Sequence, residues 1–376
     1  MGYRDERLWK ILEEKAAQED KELRTERQIA PEYLSAVKMV CDYGVQRAKT
    51  IRDTFPLYTL HDEVHICNVL NLMAELLGNE IERLNRDEAA MLILSACCHD
   101  IGMSYSKEEK EELFEDHPRI ERYLNANHSE YIKAYQHGGK NPVLTDDMKQ
   151  NYLRSIHHER VQELLNKIEW PWILDGMVDR DDLIRVCRSH GEGSAYLSDL
   201  EKSHRIDLRF CAILLRLADI LDFDTSRAPD ALYEYSEMTG QRSSSGLFSK
   251  EEWDKHMSSH GFDFKSVKNR AYPYPLEYNA VCRDMQVEQK VNGYLNWVDQ
   301  ELEDCRRELR RFNGKWQDFI LPDKIKRGIK AAGYVSGQYR LTLDQDQVLT
   351  LFTGENLYDD PAVFVRELIQ NAIDAV

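Results

Sequence analysis

The sequence predicts a mainly α protein, and three observations carry that reading. From about residue 31 to 225, apolar residues recur at spacings of three and four, as in Val37/Val40/Cys41, Val69/Leu72/Met73/Leu76 and Leu208/Cys211/Ala212/Leu215. That is the period of a helix with one buried face. Strand-like alternation is scarce over the same stretch. Breakers punctuate it at Pro56, Gly78, Pro118, Gly138-Gly139, Pro142, Pro171 and Gly191/Gly193, so the pattern divides into separate helices. Together these predict an all-helical bundle over 31–225.

The flanking segments differ. Residues 1–30 are highly charged, with Leu8, Ile11 and Leu12 on one stripe and Leu23 further on. They read as a solvated helical lead-in, an arm for packing or for a homodimer. Composition shifts near residue 225, and 226–332 reads as an α/β connector. In it, Thr239 to Ser249 is expected as a flexible loop, Ala271 to Cys282 as a short strand, and Gln286 to Phe312 as a long helix rich in Glu and Arg. A break at Ala332-Gly-Tyr-Val-Ser-Gly opens a last segment, 333–376. There is no internal repeat.

Composition narrows the function classes. The chain has 376 residues, a fair length for two domains and a connector. Lys and Arg number 50 against 67 Asp and Glu, a net charge of −17. This excludes sequence-blind binding to a phosphate backbone and leaves nucleic acid only a local basic cleft. Arg306-Arg307-Glu-Leu-Arg310-Arg311 and Lys324-Ile-Lys-Arg are the candidate tracks, against the commoner reading of solvated helix faces. The eight cysteines form no CxxC and read as reduced, buried thiols. The N-terminus has no signal-peptide core, and no run nears the roughly 20 apolar residues of a membrane span. A cytoplasmic protein without membrane contact is expected.

The chemistry is concentrated in histidines and aspartates. His99-Asp100 ends the apolar run Met91-Leu-Ile-Leu-Ser-Ala-Cys-Cys-His-Asp-Ile-Gly-Met. Neighbouring helical residues point apart, so both reach one metal only where the helix ends, and Gly102 supplies an end. Asp219 lies in Leu214-Leu-Arg-Leu-Ala-Asp-Ile-Leu-Asp-Phe-Asp, where a carboxylate among Leu, Ile and Ala needs a partner to offset its desolvation. His61 and His65, four apart, share a helix face. A catalytic metal needs several such ligands and open positions for water and substrate.

In this order, His…His-Asp…Asp resembles the HD-domain superfamily of metal-dependent phosphohydrolases over roughly residues 31–225. The resemblance implies that His65, His99, Asp100 and Asp219 are core metal ligands, with Asp100 also counted among the catalytic groups. The HxxxH spacing is similar to the cyclic-nucleotide phosphodiesterase branch, which gives His61 the role of proton donor to the leaving group. Two-metal members add histidines, for which His128, His190 and one of His157 and His158 are candidates. A helix turns only one ring of that pair inward, and His157 is favoured. Arg216 shares a face with Asp219 and either holds a phosphate oxygen or pairs with Asp219 or Asp222. Asp222 and Asp224 either support the ligands or are solvated carboxylates at a helix end. One or two divalent ions are expected, and His/Asp ligation does not choose among Mn, Fe, Ni, Co, Mg and Zn. Acidic charge with such a site favours a small nucleotide or related phosphoester as substrate.

The last segment carries a second signal. Phe364-Val-Arg-Glu-Leu-Ile-Gln-Asn-Ala-Ile-Asp-Ala sets Glu367, Asn371 and Asp374 at helical spacing, with Leu368, Ala372 and Ala375 behind. It resembles the N-box of GHKL ATPases, the superfamily of gyrase, heat-shock chaperones and histidine kinases, closest to the chaperone type. The resemblance implies Glu367 as general base, with Asn371 and Asp374 on the Mg-ATP side. The glycine-rich DxGxG element would lie beyond Val376. The expectation is therefore a fragment holding the first strand and helices of an α+β ATPase, with Mg-ATP bound only in a full-length domain. The leading expected function is a nucleotide phosphohydrolase coupled to that ATPase, in bacterial stress or antiphage defence. The alternatives are an HD-type nuclease on single strands, or a nucleotide- or metal-sensing scaffold without catalysis.

Overall fold

The computed structural model describes residues 2–23, 28–136, 141–236, 244–264, 274–311, 314–337 and 363–374. Helices α1 (Arg7–Leu23), α2 (Ala30–Ala48), a short α3 (Ile51–Thr54), α4 (Glu63–Leu77) and α5 (Arg86–Cys98) open the chain. Then come α6 (Lys107–Glu115), α7 (His117–Ala126), α8 (His128–Tyr135), α9 (Asp146–Ser155), α10 (His157–Leu165) and α11 (Arg180–Ser189). A two-residue hairpin, β1 (Lys202–Ser203) and β2 (Ile206–Asp207), leads into α12 (Leu208–Leu221). Beyond it lie α13 (Asp230–Tyr235), α14 (Ser244–Ser258), β3 (Ser259–Asp263), β4 (Leu276–Cys282), α15 (Met285–Arg310) and β5 (Ile325–Ala331). Residues 1–334 form one compact unit and 335–376 a second.

Two helices organise the first unit. Every residue of α5 from Arg86 to Cys98 is buried, so it has no polar face and runs through the core. Its start is fixed by a reciprocal cap: Asn85 Oδ1 accepts from Glu88 N at 2.8 Å, and Asn85 N donates to Glu88 Oε2 at 3.1 Å. α12 starts at Asp207, whose carboxylate accepts from Phe210 N, and packs on α4, α5, α11 and α15. α4 starts on the Asp62 cap and stops at Gly78, at φ 56°.

α5 ends differently from the sequence reading. Gly102 does not turn the chain through a left-handed conformation. It lies in a 3-10 turn, Ile101–Met103, and is needed for close approach: a Cβ there would stand 1.9 Å from the carbonyl oxygen of His157. Through this contact the first turn of α10 lies against the end of α5.

The flanks pack more closely than a solvated lead-in would. Of the alternatives for the N-terminal helix, it takes that of a packing arm. Leu8, Trp9, Ile11, Leu12 and Ala16 are buried, and α1 packs on α2, α4 and α5, which uses its apolar stripe inside the molecule. The α/β reading of 226–332 holds in its strand, β4, and its long helix, α15, but the segment packs as part of the first unit. β3 pairs antiparallel with β4, and β4 pairs parallel with β5 across the α15 crossover. Leu276, Tyr278, Val291, Leu295 and Trp316 join the same hydrophobic core as α5 and α12. Of the expected flexible loop, residues 239–243 lie outside the described ones, and from Ser244 on the chain is α14. Trp253, 1% exposed, anchors this helix by donating Nε1–H to Leu57 O at 2.9 Å. That tertiary contact overrides a Ser- and Gly-rich local preference.

In the second unit, α16 (Val363–Asp374) is helical, as the 364–375 spacing predicts. The expected strand before it, within 338–362, lies outside the described residues. No helix among the described residues is long and apolar enough to cross a membrane. The cysteines are free, and all but the half-buried Cys67 are buried.

Candidate metal centre

Where α4, α5 and α12 meet, four donors converge. His65 is in the first turns of α4, His99 caps the end of α5, Asp100 follows it, and Asp219 lies in the last turn of α12. His65 Nε2 lies 3.2 Å from His99 Nε2, 3.5 Å from Asp100 Oδ2 and 3.3 Å from Asp219 Oδ1. His99 Nε2 is 3.3 Å from Asp100 Oδ2 and 3.8 Å from Asp219 Oδ1. Nitrogen and oxygen ligands each about 2.1 Å from one ion stand roughly 3.0–3.4 Å apart. The arrangement has the size of a coordination shell.

The second cluster uses the other oxygen of Asp100. His157 starts α10 and His190 caps α11, and these two helices pack together. Both Nε2 atoms lie 3.6 Å from Asp100 Oδ1 and 2.7 Å from each other. Asp100 thus faces two sets of imidazoles with its two oxygens. Its own backbone, at φ −96°, ψ 1°, leaves the helix at that point.

The proton inventory tests whether a cation fits. His99 Nδ1–H donates to Ala96 O at 3.0 Å, His157 Nδ1–H to Arg154 O at 2.6 Å, and His190 Nδ1–H to Cys187 O at 2.5 Å. His65 Nδ1–H donates to the buried Asp222 carboxylate at 2.5 Å. With each Nδ1 proton committed outward, every neutral ring turns an Nε2 lone pair inward. Two lone pairs facing at 2.7 Å repel unless a cation lies beside them, so the donor set fits divalent ions in both clusters. Asn68 Nδ2 and Arg227 Nη1 complete the shell of Asp222 at 2.8 and 3.2 Å.

Electrostatics separate the clusters. Burial and the Arg227 guanidinium press the His65 pKa down, but its hydrogen bonds to Asp100, Asp219 and Asp222 outweigh them and push it up to about 9. His99 moves up in the same way, its burial outweighed by Asp100 and Asp219. Asp100 and Asp219 are held well below the carboxylate range, because the imidazoles around them overcome their own desolvation. His157 goes the other way: burial, then neighbouring His190, lowers it to about 3.

A cavity of about 270 Å³ opens on both clusters, reaching Asp100, Asp219, His157 and His190. Three expectations are corrected here. His61 lines the cavity but is no proton donor as it stands. Its Nδ1–H donates to Thr59 O at 2.6 Å, Arg227 Nη2 donates to its Nε2 at 2.9 Å, and burial followed by the Arg227 charge holds its pKa well below normal. It is a neutral acceptor. Arg216 is buried and committed: Nη1 donates to Ser189 O and Glu192 O, and Nη2 to Glu301 at 2.9 Å. It ties α12 to the chain around His190 and does not line the cavity. His128 stands exposed at the start of α8, away from the lining of the cavity.

Of the adjacent pair, His157 turns into the cluster. His158 turns to Glu192, 3.7 Å away, and packs on Gly191, where a Cβ would meet its ring at 2.4 Å. Asp222, 4% exposed, is a partner of His65 and not a solvated carboxylate, whereas Asp224 caps the turn Thr225–Arg227 by accepting from Ser226 N. Sequence reasoning missed Arg227, Arg154, His256 and Trp297, which also line the cavity. Arg227 had no motif to mark it. Glu367 and Asp374 have side chains outside the described residues, and Asn371 is exposed on α16.

A helical bundle that gathers His65, His99-Asp100 and Asp219 in this way defines an HD-type domain. A family model, HD-CE, matches residues 55–304, more than half of the sequence, and the chain belongs to the HD-CE family. The match runs from the loop before His61 through both clusters and most of α15. No curated protein and no solved structure gives a significant match.

Proposed function

We propose that this chain is a metal-dependent phosphohydrolase with a two-ion site, acting on small phosphoesters of the nucleotide class. The observation that carries the reading is Asp100, whose two oxygens face two imidazole sets with their lone pairs inward. Ions held there would supply an activated water and offset charge growing on the phosphoryl oxygens. His65, His99, Asp100 and Asp219 would hold one ion, and Asp100, His157 and His190 the other. Asp222 and Arg227 orient His65, and Arg216 orients the His190 turn. Arg154, exposed at the cavity mouth with its guanidinium 5.5 Å from the Tyr58 ring, is placed to take phosphate oxygens in a forked pair. The test is metal content and phosphate release over a panel of nucleotides, cyclic dinucleotides and short single strands. Release from nucleotides that vanishes in His99→Ala and Asp100→Ala is expected. Cut oligonucleotides would replace the reading with a nuclease, and bound metal without any turnover would replace it with a sensor.

We also read 364–375 as the N-box of a GHKL ATPase to which the phosphohydrolase is coupled. The support is the helix α16 and the four-residue spacing of Glu367 and Asn371. Titrating Mg-ATP into a longer protein that continues past this string, with and without Glu367→Ala, tests it. Hydrolysis that survives Glu367→Ala would refute the assignment.

A further inference from the structure

The cavity has two unlike ends. One is the ion end, with Asp100, His157, His190 and the cation of Arg154 near its mouth. The other is built by α14 and α15, and the chemistry above leaves it without a role. α14 presents Ser249, Glu252 and His256 to the cavity, spaced three and four apart on one helix face. This wall is fixed in place. Trp253 is pinned to Leu57 O, Ser259 Oγ donates to Phe223 O at 2.5 Å, and Asp224 bridges to His260.

The polar atoms on this wall are mostly acceptors. His256 is 7% exposed, its Nδ1–H donates to Asp224 O at 3.2 Å, and its ring stands edge-on to Phe223. Its Nε2 is therefore a lone pair. Burial, then the charge of Arg227, lowers its pKa to about 3, which keeps it so. Glu252 adds a carboxylate, held by Lys255 at 2.7 Å. Ser249 Oγ is buried, 3% exposed overall, and has no hydrogen-bond partner. A buried hydroxyl without a partner is destabilising, and a ligand contact would relieve it. Beside the wall stands Trp297, 45% exposed, its ring 5.5 Å from Tyr294. Tyr294 is immobilised by its hydroxyl on Ile220 O and by stacking on Phe223 at 4.2 Å.

A flat exposed indole beside a row of acceptors and an unpaired hydroxyl recognises a planar group that donates hydrogen bonds. We propose that Ser249, Glu252, His256 and Trp297 form a subsite for the organic part of the substrate, selecting a planar ring that bears an amino group. Amino-bearing nucleobases are that class. The inference rests on the phosphohydrolase reading for which end of the substrate faces the ions, but the selectivity belongs to the wall alone. Nε2 of His256 accepts the hydrogen bond of the amino group, Glu252 and Ser249 line the wall beside it, and the indole covers the ring face.

The experiment uses phosphate-free probes, so hydrolysis does not enter. Adenosine and purine riboside, which differ only in the 6-amino group, are titrated by calorimetry into the metal-loaded chain. Adenosine is expected to bind at least about tenfold more tightly, the difference one hydrogen bond to a buried acceptor makes. His256→Phe, which keeps a ring and removes the acceptor, should abolish the preference. Trp297→Ala, at a partly exposed position that does not threaten folding, should weaken both ligands. Metal content of each variant controls for the fold. Equal affinity for the two nucleosides, no binding of either, or a preference that survives His256→Phe overturns the subsite. Selective nucleoside binding without phosphate release from nucleotides would sink the phosphohydrolase reading and leave the subsite standing.

Discussion

The two halves of the candidate metal centre share one residue and little else. The first half takes its donors from α4, α5 and α12 and surrounds two imidazoles with three carboxylates, Asp100, Asp219 and, behind His65, Asp222. The second has two imidazoles and the remaining oxygen of Asp100. Before any ion binds, the first half balances its carboxylates with protons on His65 and His99, while His157 in the second stays neutral. On the proposed two-ion reading, the contrast teaches that one ion would be held by charge and the other by geometry. The first half should bind more tightly but must expel protons to do so. The second depends on Asp100 being ionised and on α10 and α11 keeping two rings in place.

The largest effect should come from the shared residue. Asp100→Ala removes a donor from both halves and leaves His157 and His190 without a carboxylate. Loss of metal-assisted charge stabilisation is worth several kcal/mol, so phosphate release should fall roughly a thousandfold, and elemental analysis should find neither ion retained. A variant that keeps both ions would show that Asp100 is not shared. His190→Ala should divide the centre: the second ion is lost and the first is retained. Loss of both ions from His190→Ala would mean that the halves are one cooperative site.

Arg227→Gln probes the support of the first half alone. Arg227 reaches Asp222 and His61 with its two terminal nitrogens, and Asp222 fixes the His65 tautomer. Removing such an outer partner costs about 10–100-fold in metal affinity. The loss should fall on the first ion, measured by competition with a chromophoric chelator in a His190→Ala background. An unchanged affinity would reduce Arg227 to a packing residue.

The same contrast governs what could be read in the sequence. His65, His99, Asp100 and Asp219 stand in strongly periodic helices, where a carboxylate or imidazole among apolar neighbours is visibly out of place. His157 and His190 have no such background, and in sequence His128 is their equal. Only the packing of α10 on α11, together with the close approach of α10 to Gly102 at the end of α5, separates them. Arg227 falls two residues beyond the boundary that composition suggests at 225. The α14 wall is held by Trp253 and Leu57, 196 positions apart, and no local signal reports a contact of that span. The solvated reading of α1 failed for a related reason. Its stripe of Leu8, Ile11 and Leu12 is legible, but charge density does not tell a solvated helix from one that buries that stripe, with Trp9, inside the molecule.

The smallest effect is the most specific to the comparison, because it separates the halves without touching a residue. In the metal-free protein the His65 pKa is raised from 6.5 to about 9. A folded-state pKa above the unfolded one adds stability that is fully present below about 6.5 and is lost as pH rises through about 9. Melting of the metal-free protein should therefore shift downward across that window, and His65→Gln should flatten the shift. Ion binding at the first half must release the His65 proton. Calorimetry at neutral pH in buffers of different ionisation heat should thus show protons leaving with the tighter ion. His157, already neutral, gives up none when the second ion enters. If protons leave with the weaker ion instead, the order of the two halves is reversed.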